Sequence, residues 1–373
     1  METRAVYKKT ELGWIPEEWD VQNIGSICDV KGGKRLPKGD SLVDEDTGYP
    51  YIRVADMFMG GVKTNALKFV PVETVSKIKN YIINKEDLFI SVAGTLGIVG
   101  KIPAILDGAN LTENADKLTN ITIDRHFLFF VLSSDIIQGV IQKEATINAL
   151  PKLAIQKIKT FLLPIPPLPE QQKIAEILTT VDDKISSIAD RIQQTEQLKK
   201  GLMEKLLTEG IGHTEFKDTE IGRIPVSWEI SQLQEVSKKI WIGLVTTMTT
   251  NYSDVGVPLI RNNNIKENKV SKDNLIYLNQ SFAIENNTRR LKTGDIVSVH
   301  TGDICTSAII DDDLNGAHGF ATLNTTVKST ILNQYLCWYL NSDLAKKQAY
   351  AVATGDGRGN LNMKDFVKAN GKI

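Results

Sequence analysis

The chain carries YKKTELGWIPEEWDV at Tyr7–Val21 and repeats this pattern as FKDTEIGRIPVSWEI at Phe216–Ile230, a shift of 209 positions. A recurrence of this length indicates a duplicated structural unit. The shift stays near 208 later in both copies, where Leu132–Asp135 reads LSSD and Leu340–Asp343 reads LNSD. Each copy is therefore predicted to be a whole domain, which argues against most single-site enzyme folds.

The two copies differ most in segments that we expect to be loops. Residues 32–37 read GGKRLP, whereas residues 241–246 read WIGLVT, and the two stretches share almost nothing. Sequence change confined to loops on a repeated frame is typical of domains that present different binding surfaces on one scaffold.

Each copy mixes the two kinds of secondary structure. Short apolar runs bounded by Gly, Asp and Asn predict strands at Ile52–Val54, Leu88–Val92 and Ile296–Val299. Amphipathic helices are predicted late in each copy, over Phe127–Ile141 and Tyr335–Ala349. The predicted fold class is α+β.

A proline run and a long helix separate the copies. Pro164–Pro169 reads PIPPLP, which cannot be helix interior because prolines remove backbone donors and hold preceding residues extended. The segment from Glu170 to Leu207 has no proline, and its apolar residues are spaced by three and four positions, as in a heptad seam. The seam residues are Ile174, Leu178, Val181, Ile185, Ile188 and Ile192. A coiled-coil-type helix of about 57 Å is predicted.

Such a helix could pack on a flanking domain or on another long helix. A domain of about 160 residues has a radius of gyration near 15 Å, too small to cover the whole seam. We therefore expect another helix as the partner. The predicted organisation is residues 1–165 as the first domain, 166–210 as proline run and helix, and 211–373 as the second domain.

Composition sets broad limits. The chain has 373 residues, 42% hydrophobic and 24% charged, enough for two domains with proper cores. Because the N-terminus lacks an apolar signal and no run of 18 uncharged apolar residues occurs, we expect a cytoplasmic protein without a membrane segment. Cys28, Cys305 and Cys337 lack metal-site spacing and are expected to be buried thiols.

No motif predicts catalysis or a bound cofactor. Gly94–Lys101 resembles a phosphate-binding loop but has the wrong spacing, so a tight turn between strands is expected. Asp182 and Asp183 lie on the heptad helix, where charged residues usually face solvent. The four histidines show no metal-ligand spacing, and Pro166–Pro167 lacks the preceding Asn or Asp of amino-methyltransferase motifs.

Polar and basic side chains in the variable loops remain as candidates for nucleic-acid binding. Arginine pairs with guanine, asparagine with adenine, threonine packs on the thymine methyl group and lysine contacts phosphate. In the first copy the candidates are Lys34, Arg35, Arg53, Lys63 and Thr95. In the second copy they are Thr246, Thr247, Asn251, Arg261, Asn262, Asn263, Arg289, Arg290, His300, Thr301 and Arg358. Any one of them alone could be an ordinary solvated loop residue.

Three motifs together resemble the specificity subunit of type I restriction-modification systems. They are PPLPEQQKIAEIL at Pro166–Leu178, LKKGLMEKLL at Leu198–Leu207, and the repeated opening at Leu12–Trp19 and Ile221–Trp228. The resemblance covers nearly the whole chain. It implies two target-recognition domains, each reading one half of a split double-stranded DNA sequence, held apart by antiparallel helices.

The resemblance also implies partners. Methyltransferase subunits would supply the S-adenosylmethionine chemistry and would recruit ATP-dependent restriction subunits, so the chain itself would be non-catalytic. One departure is that no second proline run or long helix follows Phe366.

Two explanations of this departure compete. One is a truncated or frame-interrupted gene product, which the nearly complete second copy favours. The other is a shortened subunit that forms a homodimer through its central helix. A further functional alternative is an assembly protein that binds methyltransferase or another specificity subunit without reading DNA.

Overall fold

The computed structural model describes residues 6–145, 152–355, 359–368 and 370–372, which divide into two compact units, Met1–Ala189 and Asp190–Ile373. Both units mix helices and strands, so the predicted α+β class with a long helix between two domains is confirmed. Among the described residues, we find no helix long and apolar enough to cross a membrane.

Unit 1 contains short strands and helices that end in one long helix. Its strands are β1 (Tyr7–Thr10), β2 (Gly13–Pro16), β3 (Asp20–Asn23), β4 (Asp29–Gly32), β5 (Pro50–Ile52), β6 (Met57–Phe58), β7 (Gly61–Val62), β8 (Lys68–Phe69), β9 (Ile82–Ile83), β10 (Leu88–Ser91), β11 (Val99–Lys101), β12 (Ala109–Leu111), β13 (Ala115–Thr119) and β14 (Leu162–Ile165). Its helices are α1 (Ile24–Ile27), α2 (Val72–Ile78), α3 (Arg125–Ser133), α4 (Asp135–Ala145), α5 (Ile155–Lys159) and the first part of α6 (Leu168–Thr208).

Unit 2 contains the rest of α6 and a second set of the same elements. Its strands are β15 (Phe216–Thr219), β16 (Gly222–Pro225), β17 (Ile230–Gln232), β18 (Ser237–Ile242), β19 (Tyr252–Ser253), β20 (Val257–Ile260), β21 (Ile265–Lys266), β22 (Lys269–Val270), β23 (Ile276–Leu278), β24 (Ile296–Val299), β25 (Ser307–Ile309), β26 (His318–Gly319), β27 (Thr322–Val327) and β28 (Asn370–Lys372). Its helices are α7 (Leu233–Val236), α8 (Gln280–Glu285), α9 (Asn333–Leu340), α10 (Asp343–Val352) and α11 (Met363–Phe366).

The strand pairing repeats between the units. In unit 1 an antiparallel sheet has the order β11-β10-β13-β4, and in unit 2 the order β25-β24-β27-β18 is equivalent. A second sheet contains the parallel pair β5 and β12, matched by the parallel pair β20 and β26. The hairpins β1-β2 and β15-β16 come from the repeated opening. The predicted duplication is thus present in the backbone.

The strands that lead into the variable loops differ in register between the units. The register between β18 and β27 shifts between Ser237 and Lys239, which marks a bulge that β4 lacks. Beyond the bulge, Gly32 lies opposite Asp116 and Trp241 lies opposite Asn324, which keeps the equivalent positions 209 apart. Lys34 and Leu244, whose amides donate to the carbonyls of Leu111 and Gly319, are 210 apart, so one residue is inserted between Trp241 and Leu244. Gly33 and Gly243 directly precede these two residues, so the loops share a glycine, although the sequence comparison paired Gly33 with Ile242.

Each predicted late helix is two helices. In unit 1 the chain is extended at Ser134 (φ −68°, ψ 152°), between α3 and α4. In unit 2 it is extended at Ser342, whose hydroxyl accepts a hydrogen bond from the amide of Ala345 and caps α10. Serine competes with helix continuation in this way. The repeated LSSD and LNSD motifs therefore mark a break between two helices. The strand predicted over Ile52–Val54 instead covers Pro50–Ile52.

Helix α6 begins at Leu168, two residues before the expected start, because Pro169 fits a first helical turn that needs no amide donor. Ala175 is buried in the core of unit 1, and Ile174 packs partly against that core. Every residue from 180 to 202 is exposed. The other five seam residues, Leu178 to Ile192, are between 38% and 61% exposed.

The cores lie between the sheets and the helices. In unit 1 the main cluster joins Ile24, Leu88, Leu128 and Leu132 with Leu163 of β14. All three cysteines are free and buried, as expected, and burial raises the pKa of the Cys28 and Cys337 thiols to about 12.

Candidate functional site

Several strands of unit 1 end at the same edge. Residues Thr112–Asn114, which we call the crossing segment, lead from β12 in one sheet to β13 in the other. The amide of Thr112 donates to the carbonyl of Ile52 at the end of β5 (3.1 Å), and the amide of Val92 after β10 donates to Asn114 (2.7 Å). The loops that follow β4, β5 and β10 therefore meet at this segment.

Lys34 contacts the end of β12, and Arg35 contacts the crossing segment. The amide of Lys34 donates to the carbonyl of Leu111 (2.8 Å), and the Arg35 Nε lies 2.6 Å from a Glu113 carboxylate oxygen. The Lys34 ammonium lies 5.6 Å from the centre of the Tyr81 ring. The Arg35 side chain is 78% exposed, so an ion pair there contributes little to stability and the guanidinium can exchange Glu113 for another acceptor.

Gly33 allows this close approach. A Cβ at Gly33 would lie 2.1 Å from the carbonyl oxygen of Thr112 and 2.5 Å from that of Leu111. In unit 2, a Cβ at Gly243 would lie 2.3 Å from the carbonyl oxygen of Gly319. Both loops thus leave their strand through a glycine because no side chain fits there.

Arg53 holds a turn at the end of β5. Its guanidinium donates to both carboxylate oxygens of Asp56 (2.8 and 2.6 Å) and to the carbonyl of Ala66 (3.0 Å). The Asp56 carboxylate raises the pKa of Arg53. The amide of Lys63 donates to the Asp56 carbonyl, which leaves the exposed Lys63 side chain beside the turn. Arg53 is therefore engaged within the fold, whereas Lys63 faces solvent.

Thr95 lies in the turn between β10 and β11, as expected for a tight turn. Gly94 and Gly97 take left-handed backbone conformations (φ +77° and +79°), and the Ser91 hydroxyl donates to the Thr95 carbonyl (2.6 Å). The Thr95 side chain is exposed. Since Val92 and Ala93 bond to Asn114, this turn lies beside the crossing segment.

Unit 2 builds an equivalent edge from different side chains. Its crossing segment is Phe320–Ala321, between β26 and β27. The amide of Leu244 donates to the Gly319 carbonyl (2.7 Å), and the amide of Phe320 donates to the Ile260 carbonyl (2.8 Å). Thr246 and Thr247 follow Leu244 and are exposed.

The turn after β20 repeats the turn after β5. The Arg261 guanidinium donates to the carbonyl of Asn274 (2.9 Å), as Arg53 does to Ala66, but Asn264 replaces Asp56 and accepts only from the Arg261 amide (3.1 Å). Asn262 donates to the Thr301 carbonyl (3.3 Å), and Asn263 is exposed. The edge of unit 2 is therefore richer in amides.

His300 and Thr301 follow β24 at this edge. The His300 Nδ1 lies 2.9 Å from the Thr301 hydroxyl, and burial lowers the pKa of His300 below its usual range. The ring is therefore neutral at neutral pH and offers one donor and one acceptor. Arg289 is exposed, and its guanidinium donates to the Gly243 carbonyl (2.9 Å), which places it at the same edge.

Two candidates lie elsewhere. Asn251 accepts a hydrogen bond from the side chain of Asn279, which follows the end of β23. Because the end of β23 pairs with the start of β20, Asn251 lies at the opposite end of β20 from Arg261. The Arg290 guanidinium donates to the carbonyl of Gly316, before β26 begins. Arg358 lies outside the described residues.

Sequence reasoning did not select the crossing segments themselves. Thr112, Glu113 and Asn114 form a polar insertion between the apolar runs of β12 and β13, and this contrast was the available signal. No feature of the sequence indicated that Asp116 is buried without a partner for one carboxylate oxygen, which raises its pKa to about 6. In the parts of the chain that the structure describes, no group of acidic, histidine or cysteine side chains could hold a metal ion.

Comparison with known proteins gives consistent matches. A family model described as the type I restriction modification DNA specificity domain matches residues 16–197. The specificity subunit of the MjaVIII type I restriction enzyme from Methanocaldococcus jannaschii is 29% identical over 76% of this chain and 64% of its own length. A second subunit from that organism, of the putative MjaX enzyme, is 28% identical over 68% of this chain and 61% of its own length. The chain thus spans less than two thirds of these relatives.

The fold is also found among solved structures. The crystal structure of a type I restriction-modification S subunit from M. genitalium matches 95% of this chain and 84% of that chain, with a TM-score of 0.56 and 15% sequence identity. At this identity the match concerns the fold alone.

Proposed function

We propose that the chain is a specificity subunit of a type I restriction-modification system and that it recognises a bipartite DNA sequence, one half-site with each unit. The observation that carries this proposal is the pair of equivalent edges. The same strand ends and crossing segments support different polar side chains in the two units, as expected of two readers with different targets.

The chemistry of the edges suits DNA grooves. In unit 1, Lys34, Arg35 and Lys63 provide exposed positive charge for phosphate and guanine. In unit 2, Asn263 with Thr246 provides amide and hydroxyl groups that match adenine and thymine edges, and neutral His300 adds a donor and an acceptor. We assign Arg53 and Arg261 to supporting the turns, because their guanidinium groups already bind backbone carbonyls.

We assign the partners to helix α6. Its exposed seam, with Ile185 and Ile188 at 61% and 59% exposure, suits burial against another long helix. That helix belongs either to a methyltransferase subunit, which in turn recruits restriction subunits, or to a second copy of this chain. The chain then acts where DNA is found, in the cytoplasm, and contributes no catalytic residue or cofactor of its own.

A domain exchange tests the proposal. Residues 1–165 are replaced by the same region of a relative with a known target, and the sequence methylated in complex with the methyltransferase subunit is determined. One half of the methylated sequence should change while the other half is kept. A change in both halves would contradict the assignment of one half-site to each unit.

A gel shift with the purified complex provides the second measurement. Loss of binding after Lys34→Ala, together with unchanged binding after Lys9→Ala in the remote hairpin, is the expected pattern. Equal loss with both variants would mean that the edge has no special role. Assembly without any DNA binding would instead support the assembly-protein alternative.

A further inference from the structure

Glu113 places a carboxylate at an edge to which DNA would bring further negative charge. It lies in the crossing segment of unit 1, and its side chain is 25% exposed. A carboxylate repels phosphate groups, so a glutamate at a DNA-binding edge needs a reason. The exposed lysines and the arginine of this edge do not supply one by themselves.

Stability of the fold does not account for the pair formed by Arg35 and Glu113. The Arg35 Nε donates to a Glu113 carboxylate oxygen (2.6 Å), but the Arg35 side chain is 78% exposed, and ion pairs in such positions contribute little to stability. In unit 2, Val245 takes the place of Arg35 and Ala321 takes that of Glu113. The same frame is therefore built with this pair in one unit and with two uncharged residues in the other.

Other hydrogen bonds fix both partners of the pair. The hydroxyl of Tyr51 donates to the carbonyl of Lys34 (2.8 Å), and Tyr51 is only 4% exposed, so the backbone just before Arg35 is held from the core. The hydroxyl of Thr112 donates to the second carboxylate oxygen of Glu113 (3.1 Å). The polar atoms of the pair are thus set in position before any DNA arrives.

The pair presents donors beside an acceptor. Partial burial acts to raise the pKa of Glu113, but hydrogen bonds from Arg35 and Thr112 lower the pKa below its usual value, so the carboxylate is ionised at neutral pH and only accepts. A guanidinium has five N–H donors, and the Nε donor is the one that faces Glu113. The terminal amino groups of Arg35 can therefore bind a base while the Nε bond is kept.

One base pair offers the matching pattern in the major groove. Guanine presents N7 and O6, two adjacent acceptors that suit the terminal amino groups of arginine. Its partner cytosine presents the N4 amino group, a donor that suits a carboxylate. An A·T pair instead places the adenine N6 donor beside N7, where the arginine needs a second acceptor. The donors and acceptor of this pair therefore fit G·C and disfavour A·T.

We propose that Arg35 and Glu113 together read one G·C base pair in the half-site of unit 1, with Glu113 accepting a hydrogen bond from the cytosine amino group. The inference rests on the proposed function and adds Glu113 as a specificity-determining residue. A carboxylate that meets the cytosine donor is compensated, whereas one that meets the thymine O4 acceptor is not. Glu113 thus adds discrimination that Arg35 alone lacks.

Modified bases test the pair without changing the protein. The purified complex selects its sequence from randomised duplex DNA, and the exchange of residues 1–165 identifies the half-site of unit 1. Each G·C pair of that half-site is then replaced in turn, with N4-methylcytosine to remove the major-groove donor or with 7-deazaguanine to remove the N7 acceptor. At one G·C pair, each modified base should weaken binding at least about fivefold.

Two variants assign each loss to a side chain. Glu113→Ala should bind cytosine and N4-methylcytosine equally at that pair, and Arg35→Ala should bind guanine and 7-deazaguanine equally. Because the pair is exposed, neither variant should lower the melting temperature by more than a few degrees. Glu11→Ala, in the turn of the hairpin β1-β2, removes another exposed glutamate and should respond to both modified bases as the parent does.

Three outcomes would overturn the inference. The half-site of unit 1 contains no G·C pair, or the parent binds N4-methylcytosine as well as cytosine, which would leave Glu113 as a support for Arg35 only. Alternatively, the parent and Glu113→Ala lose the same affinity on N4-methylcytosine, which would place another acceptor at the cytosine. In each case a complex that still selects a bipartite sequence leaves the proposed function standing, whereas a complex that selects no sequence overturns both.

Discussion

The glycine before each variable loop gives the sharpest test of the reading edges. In Gly33→Ala, the new methyl carbon would lie 2.1 Å from the Thr112 carbonyl oxygen and 2.5 Å from the Leu111 carbonyl oxygen. Both atoms belong to the backbone, so the loop or the crossing segment must move by about 1 Å to reach ordinary contact. Lys34 and Arg35 move with it.

The expected effects follow from this displacement. Overpacking of this kind costs about 1–3 kcal/mol, which for a unit of this size lowers the melting temperature by roughly 2–12 °C. Binding groups must hold their positions within about 0.5 Å, so the affinity for the half-site of unit 1 should fall at least about tenfold. Calorimetry measures the first effect, and gel shifts with DNA altered in one half-site measure the second.

Two further variants make the result specific. Gly243→Ala, with its Cβ 2.3 Å from the Gly319 carbonyl oxygen, should affect only the other half-site. Gly139→Ala has no heavy atom within 4 Å of the added carbon and should change neither property for the worse. A melting-temperature change of 1 °C corresponds to about 0.3 kcal/mol of unfolding free energy. If Gly33→Ala changes the melting temperature by less than this and keeps its half-site affinity, the geometric reasoning is wrong.

Other perturbations address charge, burial and the helix. Lys34→Ala should weaken binding to all sequences that share the half-site and reduce the salt dependence by about one ion, measured by titration at several salt concentrations. Burial raises the pKa of Asp116 to about 6, above its unfolded value, so the free energy of unfolding falls as pH rises from about 4 to 6. Asp116→Asn should remove this fall and raise the free energy of unfolding at pH 7.5 by about 2 kcal/mol. A flat pH profile in the parent chain would exclude this penalty. Gly201→Ala, with open space around the added carbon on α6, should stabilise the helix by about 1 kcal/mol in denaturant unfolding. Ile185→Asn should leave thermal stability unchanged, because this side chain is 61% exposed, yet weaken binding to a partner helix in pull-down assays.

Much of the frame could be predicted from the sequence because it depends on local rules. The repeat, the proline run and the heptad spacing of α6 needed only short-range patterns, and the structure has all three. The helix breaks at Ser134 and Ser342 were missed, although serine caps are local signals, because an amphipathic pattern continues across them. The bulge at Ser237 was also missed, since a single inserted residue leaves no periodic trace.

The site depends on contacts between distant residues. Arg53 looked like Lys34 in the sequence, but Asp56 and Ala66 engage its guanidinium while Lys34 stays exposed. Asn251 and Arg290 stood among the candidates for the same edge, and the strand pairing places them at other ends of their strands. Crossing segments gain their role only because the two sheets meet there.

The sequence by itself determined that there are two copies of one domain and a long helix with an apolar seam, because repeats and periodicity survive in one dimension. Only the tertiary structure decided which polar side chains share an edge and which arginines are already bound. These depend on strand register and on close backbone approaches between residues about 80 positions apart, where a Cβ at Gly33 or Gly243 would lie 2.1 or 2.3 Å from a carbonyl oxygen.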